Sequence, residues 1–474
     1  MLLRQTFFYF IARGLPGIVN FAALAIFTRL LAPDEFGRYA LVLAGVGLAN
    51  VVLFQWLRMV VGRFYQANRE NREAFLGGIL ALFLWVAVPV TGVGVLLGLL
   101  WPDPVWQQLL FLAVLLLLSQ AWFELSLSLA QASVKPAWYG RLSGSKAVIY
   151  VIVGAALAWL GLGASAPLAG LIAAHILAFL LYALGAWKGV SMRLPSGDVL
   201  RKQLGYGLPL TVTFALSWVV SGSDRLIIAW LLDEQAVGMY SAGYDLVFQT
   251  LMLMLIIINT AAYPLAVNAM ERGGQPEARQ QLSQNGQLIL AAAIAGCAGL
   301  VAIGPALITI VIGEAFRAAA LAILPWIALA GAAAGIRAYH FDLAFQLGMA
   351  SKWLLFNGAL AALANVGLNL ILIPHFGILG AAWATLGAFL IALTSSLLLG
   401  RRVFQMPRVL PLFGKAVVVA VAVGCLAKLA VGVFDTPWMG LASGLVAGTF
   451  AGGMACLLVD LAGARQALQA RLSR

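Results

Sequence analysis

Apolar residues along this chain gather into blocks of about 20 residues, the length a helix needs to cross a hydrocarbon core of roughly 30 Å. Fourteen blocks follow one another, at 8–28, 38–62, 75–100, 105–132, 140–161, 166–187, 207–232, 237–266, 285–312, 319–346, 352–373, 377–399, 412–433 and 437–460. The polar stretches between them are short, so no domain is expected outside the membrane. The pattern predicts an all-α polytopic membrane protein of about 14 transmembrane helices. The first block reads as a span rather than a cleavable signal, because it is long, carries Arg13 and has no small-residue cleavage site before Thr28-Arg29.

Composition agrees with the pattern. Of 474 residues 63% are hydrophobic and 10% charged, where a soluble domain carries about 25% charged residues. The net charge of +12 would suggest a nucleic-acid partner in a soluble chain. Here it reports topology, because short cytoplasmic loops retain Lys and Arg. With the N-terminus inside, twenty basic residues fall on the inner face, among them Arg63, Arg69, Arg72, Lys188, Arg193, Arg201 and Lys202. Only Arg29, Arg38 and Arg317 fall at outer ends. An even number of spans with both termini cytoplasmic follows, and the expected location is the bacterial cytoplasmic (inner) membrane. Cys297, Cys425 and Cys456 lie in apolar stretches with no metal-ligand spacing.

The chain also repeats itself. Gly14-Leu15-Pro16 recurs as Gly207-Leu208-Pro209, and Asp34-Glu35-Phe36-Gly37-Arg38-Tyr39 is matched by Asp233-Glu234 through Gly238-Met239-Tyr240. Six spans is an even number, so both halves enter the membrane alike, as parallel repeats about an axis along the membrane normal. The expected organisation is a six-helix lobe at 1–187, a cytoplasmic linker at 188–206, a second six-helix lobe at 207–400 and an appended helix pair with a cytoplasmic tail at 401–474. Matched bends at Pro16 and Pro209 are candidate moving parts. Gly440, Gly444, Gly448 and Gly452, at strict four-residue spacing, predict close packing of the last span on its neighbour.

Ionisable residues inside spans are costly and face the bundle interior or water. The basic ones are Arg13, Arg58, Lys146, Arg225, Arg337 and Lys428, and the acids are Glu124, Asp224, Asp245 and Asp342. Helical spacing places Gln120, Glu124, Ser128 and Gln131 on one stripe, and Tyr139, Ser143, Lys146 and Tyr150 on another. Arg13 and Asn20 share a face of the first span, and Asn357, Asn365 and Asn369 line the eleventh. Both halves thus contribute polar faces. Arg58 and Lys428, near span ends, are also placed for snorkelling to headgroups. The acids serve either as salt-bridge partners for these bases or as sites for a coupling H⁺ or Na⁺. His340 either titrates near neutral pH or is hydrogen-bonded in the bundle. Trp122, Trp218 and Trp326 lie away from the aromatic belt and either pack in the core or face a sugar ring.

Absences narrow the function. No phosphate loop of the G-x-x-x-x-G-K-[ST] type and no H-E-x-x-H occurs. The loops are too short to hold the catalytic site of a membrane glycosyltransferase or polymerase, so the chain is read as a transporter and not an enzyme, with no resident cofactor.

The stretch Thr28-Arg29-Leu30-Leu31-Ala32-Pro33-Asp34-Glu35-Phe36-Gly37-Arg38-Tyr39 resembles the opening signature of the polysaccharide transporter (Wzx-like) flippases, in the multidrug/oligosaccharidyl-lipid/polysaccharide exporter superfamily. Ser223-Asp224-Arg225, Val237 to Ala242, and Leu368-Asn369-Leu370 through Pro374 to Gly377-Ile378-Leu379-Gly380-Ala381-Ala382 extend the resemblance over twelve spans. It implies a V-shaped cavity between two lobes. It also implies a polyprenyl-pyrophosphate-linked oligosaccharide moved to the outer leaflet by alternating access, for surface polysaccharide biosynthesis. Expected partners are that substrate, membrane lipids and other polysaccharide assembly proteins, with no nucleic acid. Arg13, Lys146, Arg225, Arg337 and Arg58 are then expected to hold the anionic headgroup, and Asn20 and Gln120 to contact sugar. Other branches of the superfamily export cationic drugs or flip the peptidoglycan lipid precursor. A drug exporter should want an acid-dominated cavity, whereas here the bases outnumber the acids.

Overall fold

The computed structural model describes residues 17, 19–465 and 469, and every regular element among them is helical. After the apolar segment α1 (Val19–Leu30) come α2 (Pro33–Phe64), α3 (Arg72–Leu100), α4 (Pro104–Ala132), α5 (Pro136–Trp159), α6 (Ser165–Tyr182) and α7 (Gly197–Leu231). They are followed by α8 (Glu234–Val311), α9 (Glu314–Ile336), α10 (Ser351–Val403), α11 (Val409–Val431) and α12 (Pro437–Leu458). The starts are chemically marked. Proline opens α2, α4, α5 and α12, where its missing N–H would have no helical partner anyway. At α2 the Glu35 carboxylate accepts from the Ala32 N–H at 3.0 Å, and at α4 the Asp103 carboxylate accepts from Val105 at 2.8 Å.

Eleven of these helices are long and apolar enough to cross a membrane, against the fourteen spans expected. Two of them are far longer than one crossing. At 1.5 Å per residue α8 would extend about 117 Å and α10 about 80 Å. Each is divided by a glycine in left-handed backbone: Gly274 (φ 67°, ψ −154°) in α8 and Gly377 (φ 56°, ψ −137°) in α10. Helix continues up to these single residues where loops were expected at 267–284 and at Pro374-His375. The remaining difference lies at the N-terminus, where the described apolar helix covers only Val19–Leu30. The expected linker at 188–206 is half helix, since α7 begins at Gly197, just after Ser196 and with Asp198 in its first turn.

By packing, the chain divides into two compact units, 1–238 and 239–474. In the first, α2 lies against α3, α4 and α7, and α6 lies against α4 and α5. The repeat motifs meet inside this unit. A Cβ on Gly37 would overlap the Glu234 carbonyl, and a Cβ on Gly238 would overlap the Pro33 carbonyl. The two approaches are equivalent under the repeat, so each motif supplies the glycine that admits the other's backbone. Arg38 pairs with Glu234 and, at 3.3 Å, with Asp34, while the Trp106 indole N–H donates to the other Glu234 oxygen at 2.7 Å.

In the second unit, α9 packs on α10 and α11 on α12. The α12 glycines face α11 as expected. A Cβ on Gly444 would stand 2.6 Å from Val431 Cγ2, and one on Gly452 3.1 Å from Val423 Cγ2. The large apolar side chains Trp438, Leu445, Val446 and Phe450 of α12 are exposed.

Candidate functional site

The first unit gathers a charged cluster on adjoining helices. Arg58 on α2 donates through Nη1 to Glu124 Oε2 on α4 at 2.7 Å and to Gln55 at 2.9 Å. Asn50 donates to the same Glu124 oxygen at 2.8 Å, and Gln120, one turn before Glu124, donates to Oε1 at 3.1 Å. The carboxylate therefore accepts from three side chains. Arg58 is thus tied inward to Glu124, not extended to headgroups. The expected α4 stripe is real in part, as Gln120, Glu124 and Ser128 bond along one face.

Lys146 on α5 stands within electrostatic range of Glu124, and of His175 on α6. Its half-buried ammonium makes no hydrogen bond or ion pair among the described residues. A cation held in a membrane-spanning helix without a partner costs about 2.5–3.5 kcal/mol on insertion scales. Lys146 is the group in this cluster with open capacity for an anion. His175 packs on Phe123 with ring centroids 5.1 Å apart.

The second unit holds its own cluster, built on a break in helix geometry. After α9 the chain makes a π-helical turn, Arg337–Phe341, before the short helix Leu343–Leu347. Such one-residue widenings are frequent at functional sites because they re-aim side chains. Here Arg337 Nε lies 3.4 Å from Asp342 Oδ2, and the guanidinium carbon lies 5.9 Å from the centre of the Phe389 ring. Asp342 Oδ1 accepts from Ser396 at 2.6 Å and from Asn357 Nδ2 at 3.4 Å. His340 is fully buried with neither ring nitrogen hydrogen-bonded. Of the two alternatives for His340, the hydrogen bond is not made among the described residues; its ring is packed on Phe341 and against the bare Cα of Gly286.

The other sequence-predicted residues are placed as follows. Arg13 and Pro16 lie outside the described residues. Asn20 is exposed on α1, and Asp224 is fully buried on α7. Arg225 is half-buried and donates to the Ser221 carbonyl at 3.1 Å, and Asp245 is half-buried on α8. The three off-belt tryptophans are packed. Trp122 joins Phe83 and Trp187, Trp218 covers Gly47 and Gly222, and Trp326 meets Trp383 edge-on. Sequence reasoning missed Asn50, Gln55 and Ser396. Gln55, three residues before Arg58 on one helical face, was the available signal, whereas nothing local distinguishes Ser396 from its neighbours.

Eleven helices long and apolar enough to cross a membrane define a multi-pass α-helical membrane protein. Among solved structures the fold is similar to a lipid II flippase MurJ in an inward closed conformation (TM-score 0.79, 15% identity, 95% of this chain and 98% of that one). It is similar also to an inward-facing multidrug resistance MATE family transporter of the MOP superfamily (0.63, 12%, 83% and 97%). A third likeness is to a MOP superfamily transporter from Pyrococcus furiosus, described as having a binding pocket of reverse polarity suggesting a different function (0.52, 15%, 84% and 94%). Comparison with curated proteins finds no match. The chain belongs to the polysaccharide biosynthesis protein family, whose model matches residues 26–321.

Proposed function

We propose that this protein flips a polyprenyl-pyrophosphate-linked oligosaccharide across the bacterial cytoplasmic membrane by alternating access, supplying surface polysaccharide synthesis, with both termini cytoplasmic. The observation that carries the reading is Lys146: a half-buried ammonium in a spanning helix with no ion pair among the described residues, in a chain of a polysaccharide biosynthesis family. A pyrophosphate would supply the missing counter-charge. Arg58 would join it by exchanging part of its bond to Glu124, and Gln120 and Asn20 would meet sugar hydroxyls. Arg13, Arg225 and Arg337 complete the proposed cationic set. A potential negative inside favours outward movement of an anion by about 2.3 kcal/mol per charge per 100 mV, so export of a doubly charged headgroup needs no nucleotide. Membrane lipids and other polysaccharide assembly proteins are the proposed partners.

The test is single replacement of Arg13, Lys146, Arg225 or Arg337 by Ala, with surface polysaccharide measured at matched expression. Loss of export in Lys146→Ala is expected, and full export in all four variants would sink the proposal. The fold likeness to multidrug exporters favours one rival, a cation exporter, and that reading predicts efflux of cationic drugs from cells or proteoliposomes. Glycan extension by the purified protein in detergent would instead make it an enzyme.

A further inference from the structure

Four non-glycine residues among those described hold left-handed backbone: Val134 (φ 53°), Met349 (φ 50°), and Asp460 with Ala462 beyond α12. The first two are equivalent under the repeat. Val134 follows α4 and Met349 follows the short helix Leu343–Leu347, each just before a long helix, α5 or α10. The hydrogen bonds match one for one. The Val134 N–H donates to the Gln131 carbonyl at 3.0 Å and the Lys135 N–H to that of Ala130 at 3.3 Å, while Met349 donates to Gln346 at 3.2 Å and Ala350 to Phe345 at 2.8 Å. This is the helix-ending turn whose left-handed position ordinarily takes glycine. In the second turn a glycine, Gly348, stands one residue too early to serve. The same spacing separates Gln131 from Gln346 and Trp138 from Trp353, so each tip is followed one helical turn later by tryptophan.

A side chain in left-handed backbone carries a strain that glycine would not. Packing within the protein does not offset it, because Val134 is 63% and Met349 93% exposed. Burying one Val or Met side chain in an apolar medium gains about as much as that strain costs, so the partner that makes these tips favourable lies outside the chain. Position identifies it. The tips stand just past the apolar blocks that end at 132 and 346, and the headgroup layer extends roughly 5–8 Å beyond the hydrocarbon core. Trp138 and Trp353 are residues of the kind that settles at that level. Charge points the same way: Lys135, Arg141 and Lys352 are exposed, and no Asp or Glu occurs within 125–145 or 343–356.

We propose that Val134 and Met349 are equivalent membrane anchors, one in each repeat, inserted among anionic phospholipid headgroups with Lys135 and Lys352 on the phosphates. Each anchor holds its turn at a fixed depth in the leaflet. The inference is independent of the flippase reading. That the leaflet is the cytoplasmic one rests on the topology proposed above.

The experiment uses the full chain with Cys425 and Cys456 replaced by Ala, Cys297 being buried, in lipid discs containing phosphatidylglycerol. A nitroxide is attached at Val134→Cys or Met349→Cys. Its collision rate with oxygen, which concentrates in lipid, is compared with that for a neutral nickel chelate, which stays in water. Reference labels stand at Glu70→Cys, exposed in the turn before α3, and at Val446→Cys, exposed in the middle of α12. The oxygen-to-nickel ratio at both tips is expected several-fold above that at Glu70 and below that at Val446. It should fall toward the Glu70 value in phosphatidylcholine discs, and in Lys135→Gln or Lys352→Gln at the anchor concerned. Val134→Gly and Met349→Gly test whether the apolar side chain is what offsets the strain. Glycine suits this backbone, so a higher unfolding temperature for both variants in the same discs overturns the proposal. So does a ratio at both tips equal to that at Glu70, or the same ratio with and without phosphatidylglycerol. Low access to both colliders would place the tips against protein and overturns it too.

Discussion

Lys146 and Arg58 stand beside the same carboxylate, yet only Arg58 bonds to it. The two cations therefore differ in what their loss should do. Removing Arg58 strands Glu124 with its neutral donors alone. With the pair 27% and 22% exposed, solvent screening reduces the penalty below that of a dry ion pair, and Arg58→Ala should cost about 1–3 kcal/mol in unfolding experiments. A double-mutant cycle with Glu124→Ala should recover most of that cost as coupling. Lys146→Ala deletes a cation with no hydrogen bond or ion pair among the described residues, so folding stability should hold or rise while export falls. Equal destabilisation by Lys146→Ala would show a structural role and remove it from the proposed site. At this scale the sequence identified Arg58, Glu124, Gln120 and Lys146 as intramembrane polar groups. It could not say that Arg58 and Gln120 share Glu124 while Lys146 stands by unbonded, because Arg58 and Glu124 are on α2 and α4, 66 residues apart in the chain.

Among the elements, glycine decides where helices bend and where they touch. Gly377 holds a backbone conformation that side chains rarely adopt, although its surroundings are open. Gly377→Ala should therefore cost about 1–3 kcal/mol through backbone strain rather than overlap. The same substitution at Gly37 or Gly238 should act through overlap, since each would press a methyl into a carbonyl of the other motif. Either should lower the unfolding temperature, and Glu234→Gln, which weakens only the Arg38 pair, should lower it less. On α12, Gly444→Ile should destabilise the monomer by about 1–3 kcal/mol through overpacking on Val431 and Ile303. Unchanged monomer stability with altered oligomeric state would instead assign the ridge to a second copy. The repeat motifs and the glycine ridge were visible in sequence as spacing. The direct contact between the motifs was not, because similarity of two segments carries no information on whether they meet.

For the molecule as a whole, twenty inner-face basic residues predict both termini in the cytoplasm. A C-terminal fusion to a phosphatase that folds only outside the cytoplasm should be inactive, and a fusion to a cytoplasmic fluorescent protein should be bright; the opposite pattern would break the even-span topology. Dissipating the membrane potential should slow export if the cargo is anionic. Transport that ignores the potential would argue for a neutral complex, such as a headgroup moving together with Na⁺.

Membrane residence, helical class, the approximate span blocks and the polar faces are sequence-level properties here. They follow from burial in lipid, which acts on each segment of about 20 residues almost independently. Which charges neutralise one another is a tertiary property. Arg58 with Glu124, Arg337 with Asp342 and Ser396, and Lys146 beside an acid it does not bond became assignable only when separate segments were brought within a few ångströms, because Coulomb and hydrogen-bond energies fall off over that distance.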